Sequence, residues 1–305
     1  MLLRMTDFDV LVLGGVGVDT IVRVPELRIP SGDYMPVYDV GDYVGHSGNG
    51  VALGFTALGL RTKFTALVGD DPQGALIRAR YAAAGLDFTA CPAPNGTPRS
   101  VNLVDAAGRR FSFFDGRHPD GTLMPEDSYL PLVERAAHVH VVTTQTPAVW
   151  AAARELGIST STDIHAWDGA DEWGWSLAGQ ADVVFVSSAR APDRIDDIMR
   201  RIVAEGRASI VVATEGEAGS RVLARGGEDV LRFPIASPER PVVDSNGAGD
   251  AYSTAFMSRW LRGRPLAECA LAGAVSGAFA CGAAGTHEEL ITESQLAAAV
   301  DRATR

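Results

Sequence analysis

The run from Val242 to Leu261 constrains this chain more tightly than any other stretch. Val242 and Val243 lead into Asp244, and Ser245, Asn246, Gly247, Ala248 and Gly249 follow. Asp250 then opens a segment in which Phe256 and Trp260, and Met257 and Leu261, lie four apart. That spacing predicts a helix over 247–261, entered through a strand-to-helix turn. Glycines let the backbone approach a ligand closely. The first N–H groups of a helix have no internal partner and sit at the positive end of its dipole. Turn and helix start together therefore make an anion site. A carboxylate beside such a site is electrostatically costly, so Asp250 is out of place in a plain anion-binding loop. It fits if it handles a proton while the N–H groups hold developing negative charge, as phosphoryl transfer to an alcohol requires. The plainer reading is a Gly-rich turn with Asp250 as an N-terminal helix charge.

The rest of the chain supplies a body for this turn. Asp9 to Leu13 reads as a buried parallel strand. Val16-Gly17-Val18-Asp19 puts Asp19 just past that strand's end, where open α/β sheets collect ligands; the bland alternative is a turn carboxylate. Between Ile21 and Val44, apolar residues are scattered among Pro25, Pro30, Gly32 and Asp33, which predicts short strands joined by turns. Val101 and Leu103 alternate with polar residues, Ala106-Ala107-Gly108 is a turn, and Phe111 and Phe113 alternate again, a hairpin pattern. Two β-rich segments separated by a helical one predict a small sheet, about 19–45 and 97–115, inserted into one larger domain over 1–305 as a lid.

Small residues from Gly45 to Gly50 precede a helix expected over Val51 to Leu58 and ended by Gly59. They bring backbone and the Asn49 amide close to a polar ligand; His46 is either a substrate contact or an ordinary loop residue. A strand ending at Gly69 meets a helix capped by Asp70 or Asp71, with Pro72 in its first turn. From Ala136 the chain alternates as a doubly wound body should. Strands are expected at 138–142, 158–162, 183–186 and 210–213, and helices at 147–156 and 194–205. His138 and His140 share a strand face with nothing nearby to complete a metal site, so they read as structural. Trp167, Trp173 and Trp175 are either packing residues or a stacking platform for a ring. Ala270 to Ala284 is a small-residue helix that allows close approach.

Charge and cysteine usage exclude several partner classes. A net charge of −11 and a pI near 5.0 argue against nucleic acid or an anionic membrane, but not against a small anionic ligand held by N–H groups. Cys91, Cys269 and Cys281 are odd in number and irregularly spaced, which points to a reducing cytoplasm rather than a disulfide framework or zinc. Phe8 to Leu13 is too short for a signal peptide, and no run approaches the ~18 apolar residues that span a bilayer.

Asp244 to Asp250 resembles the D-T-x-G-A-G-D motif of the ribokinase-like carbohydrate kinase family, with Ser245 for the usual Thr. The likeness extends in family order through Asp19, the glycine stretch to Asn49, Gly69-Asp70-Asp71 with Gly74, and Thr214 with Gly216 and Gly219. It implies a three-layer α/β/α body with a mainly parallel sheet and an inserted β-sheet lid. It implies ATP as donor, Mg2+, and phosphorylation of a primary hydroxyl on a sugar or sugar-like molecule. By the same resemblance Asp250 is the base, and Gly247, Ala248 and Gly249 form the anion hole. Asp19, Gly45 and Asn49 hold substrate, and Gln145 stands where some members carry a substrate-binding acid. Thr214, Gly216, Gly219 and Asn246 lie beside the nucleotide, and the 270–284 helix lines the adenine pocket. Family members also offer K+ stimulation near Asp244 and Gly285, and dimers that pair through the lid. One departure stands out. Where the family has N-x-x-E, this chain has Ser187-Ser188-Ala189-Arg190, and an Arg cannot replace a carboxylate in a magnesium water network. Metal ligands are therefore left unassigned. The rivals are a nucleoside kinase on the same scaffold and a non-enzymatic sugar- or nucleotide-binding protein.

Overall fold

Alternating side chains sort the central strands into two cores. On the first strand, Leu11 and Leu13 enter one buried cluster and Val10 and Val12 the other. The same split recurs far along the chain, with Val184 and Val186 against Val183 and Phe185. Side chains of a strand point to opposite faces in turn, so runs apolar at every position must be covered on both sides. The computed structural model describes residues 6–28, 32–106, 109–119 and 121–304.

In chain order the elements are β1 (Phe8–Gly14), β2 (Gly17–Arg23), β3 (Asp39–Gly45), α1 (Ser47–Ala57), β4 (Thr62–Val68), α2 (Pro72–Ala84), β5 (Asp87–Pro92), β6 (Arg99–Val104) and β7 (Arg110–Asp115). There follow α3 (Leu130–Val133), β8 (Ala136–Val142), α4 (Pro147–Glu155), β9 (Ser159–Asp163), α5 (Glu172–Ala178), β10 (Val183–Ser187), α6 (Ile195–Glu205) and β11 (Ile210–Thr214). The chain closes with β12 (Ser220–Ala224), β13 (Leu231–Phe233), α7 (Ala248–Trp260), α8 (Leu266–Ala280) and α9 (Glu293–Ala303). Nine strands form one sheet in the order β13-β12-β11-β10-β9-β8-β1-β4-β5, parallel except for β12 and β13 at one edge. A separate sheet of four has the order β3-β2-β6-β7. The fold is a ribokinase-like α/β body with a small second sheet, as the sequence implied.

Several local expectations shift. Asp19 does not end the first strand: the chain turns at Gly15 and Val16 and starts a new strand, of which Asp19 is the third residue. Gly15 has no room for a side chain, because a Cβ there would lie 2.6 Å from Thr143 Oγ1. The helix expected from Val51 begins at Ser47, since Gly48 packs on the Gly15 carbonyl, 2.4 Å from where its Cβ would be. Val242 and Val243 are exposed and lie in no strand; they are tethered by the Val243 and Asp244 N–H groups to the Cys281 carbonyl. The small-residue helix ends at Ala280, before Gly282, whose Cβ would meet Arg240 Nε at 2.1 Å. Asp71 rather than Asp70 caps α2, accepting the Gly74 N–H at 2.8 Å. The turn residues Ala107 and Gly108, and Pro30 in the first lid segment, lie outside the described residues.

Two of the three tryptophans pack, and Trp173 is exposed. Trp167 is buried and stacks with Trp175 at 6.1 Å, with the Arg201 guanidinium 4.7 Å over the Trp175 ring. Cys91, Cys269 and Cys281 are free thiols, and no helix among the described residues is long and apolar enough to cross a membrane.

His138 and His140 are interior supports. Both accept or donate to Ser161 Oγ, at 2.7 and 2.8 Å, and His138 also meets Ser159 Oγ. Burial, with the neighbouring His140 charge adding, pushes His138 down to about 3. Burial also pushes His140 down, to about 4, against the opposing pull of Asp250. The unfolded chain takes up protons near pH 6.5 that the fold refuses, so this contribution to stability is intact above that pH and is lost as pH falls toward 4. Replacing His138 with Gln is expected to flatten the dependence of Tm on pH between 6.5 and 4. Parallel curves for the two proteins would contradict this account.

Candidate active site

The mouth of α7 is an uncapped helix start. Gly247 is its N-cap residue at φ 74, and no side chain caps its amides. Only glycine fits there: the conformation is left-handed, and a Cβ would lie 2.3 Å from the Thr286 carbonyl. At Gly249 a Cβ would meet nothing within 4 Å. Of the two loop glycines, one is locked by packing and the other faces open space at a helix start that no side chain caps, with the Ala248 N–H donating to the Ser245 carbonyl at 3.3 Å. Asp244 builds the turn rather than entering a reaction, its carboxylate accepting the Asn246 N–H at 3.0 Å.

Asp250 lies in the first turn of α7, only 9% exposed. Its Oδ2 is 2.9 Å from His287 Nε2. His287 Nδ1 is 3.0 Å from Asn49 Nδ2, which also donates to the Val44 carbonyl at 3.0 Å. Tyr81 O–H donates to Asn49 Oδ1 at 3.0 Å. Asn49 is thus fully buried, its amide turned to the protein and linked to Asp250 through His287. Asp163, the last residue of β9, is a second buried carboxylate; burial pushes it up, His165 opposes, and the negative charge of Asp250 adds to the rise.

The small sheet presents its polar face to this region. Pairing places Asp19 beside Gly45 and Tyr43 on one side and Ser100 on the other, with Phe114 beyond; Arg23 and Arg110 continue the same face across Val104. Gly45 is required by Asp19, whose Oδ2 would lie 2.0 Å from a Cβ there. Burial works against the Asp19 charge, but hydrogen bonding and charge from His46, then Ser100 and Asn102, outweigh it and hold the carboxyl below its usual range. His46 Nε2 meets Ser100 Oγ at 3.2 Å, and its ring sits 5.6 Å from Phe114, edge to face. Arg110 Nη1 donates to Asn246 Oδ1, and Arg23 Nη2 comes within 3.9 Å of Asp244 Oδ2. Two guanidinium groups of the small sheet thus reach the loop before α7.

Beyond β11, Glu215 N bonds the Gly219 carbonyl at 2.8 Å, closing a turn in which Gly216 has φ 58 and Gly219 φ 96. Ser220, next to it, accepts the Tyr252 O–H of α7 at 2.8 Å, so Thr214, Gly216 and Gly219 are tied to the same helix as Asp250. Gln145 is half-buried in the loop after β8, its carbonyl accepting the Met124 N–H at 3.2 Å. Arg190 is 61% exposed and pairs with Asp168 at 3.1 Å, which turns it to a neighbouring loop. Among the described residues no group of three or more His, Cys, Asp or Glu side chains is placed to hold a metal ion.

Sequence reasoning missed His287, Asp163, Arg23, Arg110 and Phe114. Asp163 sits one residue past an expected strand, which was a usable signal. For the two arginines and Phe114 the period of the lid strands would have chosen the inward face once the pairing was known. His287 carries no motif at all.

Known proteins resemble this chain over most of its length. The model of the pfkB family of carbohydrate kinases matches residues 176–293. The acarbose 7(IV)-phosphotransferase of Actinoplanes sp. is 44% identical over 290 residues, 94% of this chain and 97% of that protein. A solved microbiome-derived acarbose kinase superposes with a TM-score of 0.91 at 43% identity, covering 97% of this chain and 100% of the other. The nucleoside kinase of Methanothermobacter thermautotrophicus is 27% identical over 280 residues, 86% of each protein. An uncapped helix mouth with a buried carboxylate, and likeness of this extent, lead to one assignment: the chain belongs to the pfkB family of carbohydrate kinases and is a phosphotransferase of the ribokinase fold.

Proposed function

We propose that the protein moves the γ-phosphoryl group of ATP to a primary hydroxyl of a sugar or sugar-like acceptor bound between the small sheet and α7, with acarbose, named in two relatives, the first acceptor to test. One observation carries this reading: Asp250 is buried at the mouth of an uncapped helix whose Gly249 faces open space. The acceptor oxygen gives its proton to Asp250 and bonds the γ-phosphorus, while the bond to ADP breaks and its electron pair leaves on the β-phosphate oxygen. The transition state is loose, so Asp250 mainly orients the oxygen and takes the proton late. N–H groups of Gly247, Gly249 and Asp250 hold the transferring group, each contributing ~3 kcal/mol by analogy with oxyanion holes, whereas the Ala248 N–H expected among them is donated to the Ser245 carbonyl at 3.3 Å.

In this scheme Asp19 is the polar wall for acceptor hydroxyls, Gly45 gives it room, and Gln145 approaches from the β8 side. Asn49 acts through His287, its amide being committed to internal bonds. Thr214, Gly216, Gly219 and Asn246 border the nucleotide. Mg2+ would enter with ATP and supply positive charge at its phosphates; among the described residues no group of three or more His, Cys, Asp or Glu forms a protein cradle for it. K+ would act near Asp244 and Gly285, segments joined through the Cys281 carbonyl, which accepts the Val243 and Asp244 N–H groups. A reducing, cytoplasmic setting fits three free thiols. The nucleoside alternative rests on the nucleoside kinase among the relatives.

ADP release across a panel of acarbose, simple sugars and nucleosides decides the acceptor. Turnover confined to nucleosides would overturn the sugar reading. Asp250→Asn is expected to lose nearly all kcat while still binding ATP by calorimetry; wild-type-like turnover would refute the role given to that carboxylate. Gly249→Ala is expected to melt like the wild type yet lose activity, because its Cβ enters empty space where phosphate belongs. Gly247→Ala is expected to lower Tm as well, through its positive φ and the Thr286 carbonyl.

The outward face of the small sheet suggests a homodimer. Val40, Val101, Phe111 and Phe113 are exposed there, opposite to Asp19 and Arg110 by the strand period. Such a continuous apolar face suits pairing with a second copy. Sedimentation velocity is expected to show a dimer that a Phe111→Ser, Phe113→Ser double variant turns into a monomer. A wild-type monomer at micromolar concentration would dismiss it.

A further inference from the structure

His287 is held by the fold as firmly as Asp250. It is only 7% exposed, Arg80 Nη2 donates to its carbonyl at 2.7 Å, and the preceding Thr286 donates to the Val44 carbonyl at 3.1 Å. Two glycines make space for its ring. A Cβ on Gly50 would lie 2.2 Å from His287 Nε2 and 2.8 Å from Asp250 Oδ2, and one on Gly247 would lie 2.7 Å from His287 Cδ2. The chain keeps both positions bare around one imidazole–carboxylate contact.

The hydrogen bonds fix which ring nitrogen carries the proton. The Val44 carbonyl can only accept, so the Asn49 atom 3.0 Å from it must be the amide nitrogen. Its second N–H then points at His287 Nδ1, 3.0 Å away, which must accept. Asn49 Oδ1, on the other side, takes the Tyr81 O–H. With Nδ1 accepting, the ring proton sits on Nε2 and is donated to Asp250 Oδ2 at 2.9 Å. Tyr81, Asn49, His287 and Asp250 thus form one buried chain of donors with a single direction, ending on the carboxylate.

We infer that His287 is a positioning residue for phosphoryl transfer: it pins Oδ2 of Asp250 and leaves Oδ1 as the oxygen that receives the acceptor's proton. This rests on Asp250 being the base. A carboxylate free to rotate offers two equivalent oxygens in many orientations, whereas one tied at Oδ2 presents a single lone pair to the substrate. No proton passes through the ring, which keeps its Nε2–H throughout. The proton moves from the acceptor hydroxyl to Oδ1 as the new O–P bond forms and the bond to ADP breaks.

His287→Ala is expected to lower kcat about 10- to 100-fold, the range set by a charge-assisted hydrogen bond, with KM for ATP and acceptor within about 3-fold of wild type. His287→Gln, which can place an N–H near Nε2, is expected to restore most of that loss, and His287→Leu none. Equal kcat in the Ala variant and wild type, or equal recovery by Leu and Gln, would overturn the inference. A 15N spectrum of the wild-type protein labelled at histidine tests it without any variant: Nε2 of His287 is expected to carry the proton and Nδ1 the lone pair, and the reverse would refute it. Turnover by Asp250→Asn would bring down the base assignment itself. An inactive Asp250→Asn beside a fully active His287→Ala would remove only the role of His287.

Discussion

A helix dipole attracts anions, and this protein places a carboxylate of its own at the spot where attraction is strongest. Everything near α7 manages that tension. No side chain caps the amides, and of them the Ala248 N–H is turned to the Ser245 carbonyl. Asp250 is not allowed to turn back and occupy them, because His287 holds its Oδ2 on the other side. Asp244 serves the loop instead, closing the turn through Asn246. The two acids of one short motif therefore do different jobs, and their partners decide which does which.

The small sheet solves a second problem, that of covering a polar site with a thin layer. One pleat face carries Asp19, Ser100, Asn102, Arg23 and Arg110, and the other carries Val40, Val101, Phe111 and Phe113. In a two-sided sheet a shift of register by one residue would exchange these faces and bring phenylalanines over the loop. Register is held by the close fit of Asp19 over Gly45 and by the attachment of the two ends of the first segment to the body at Gly15 and Gly48.

Much of the body could be read from the sequence because its signals are local. Apolar runs between small residues mark β8 to β11, and Asp71 with Pro72 marks the start of α2, so those elements fall within a few residues of expectation. The loop of residues 244–250 was legible for the same reason: its chemistry is contiguous. Asp19 is expected past the first strand, at the edge of the small-sheet segment predicted from about residue 19; the strand that holds it starts two residues earlier, at Gly17. His287 was not legible, being a lone histidine 37 residues beyond its partner and brought to it only by the packing of the loop after α8. Asn49 shows the limit of residue type as a guide. An amide beside glycines reads as a ligand contact, yet the folded chain surrounds it with Val44, Tyr81 and His287.

Charge ties these parts together. The protein is acidic overall, and the buried carboxylates Asp163 and Asp250 lie close enough for the charge of Asp250 to add to the rise at Asp163. Arg190 does not answer that charge, since it is engaged with Asp168. The compensating cations come from the lid: Arg110 on Asn246 and Arg23 toward Asp244. Asp19 shares the strand face, and the sheet, with both. Arg110 and Arg23 therefore meet the loop from the same strand face that carries Asp19, and the polar groups of the small sheet and the positive charge beside the loop are set by one register.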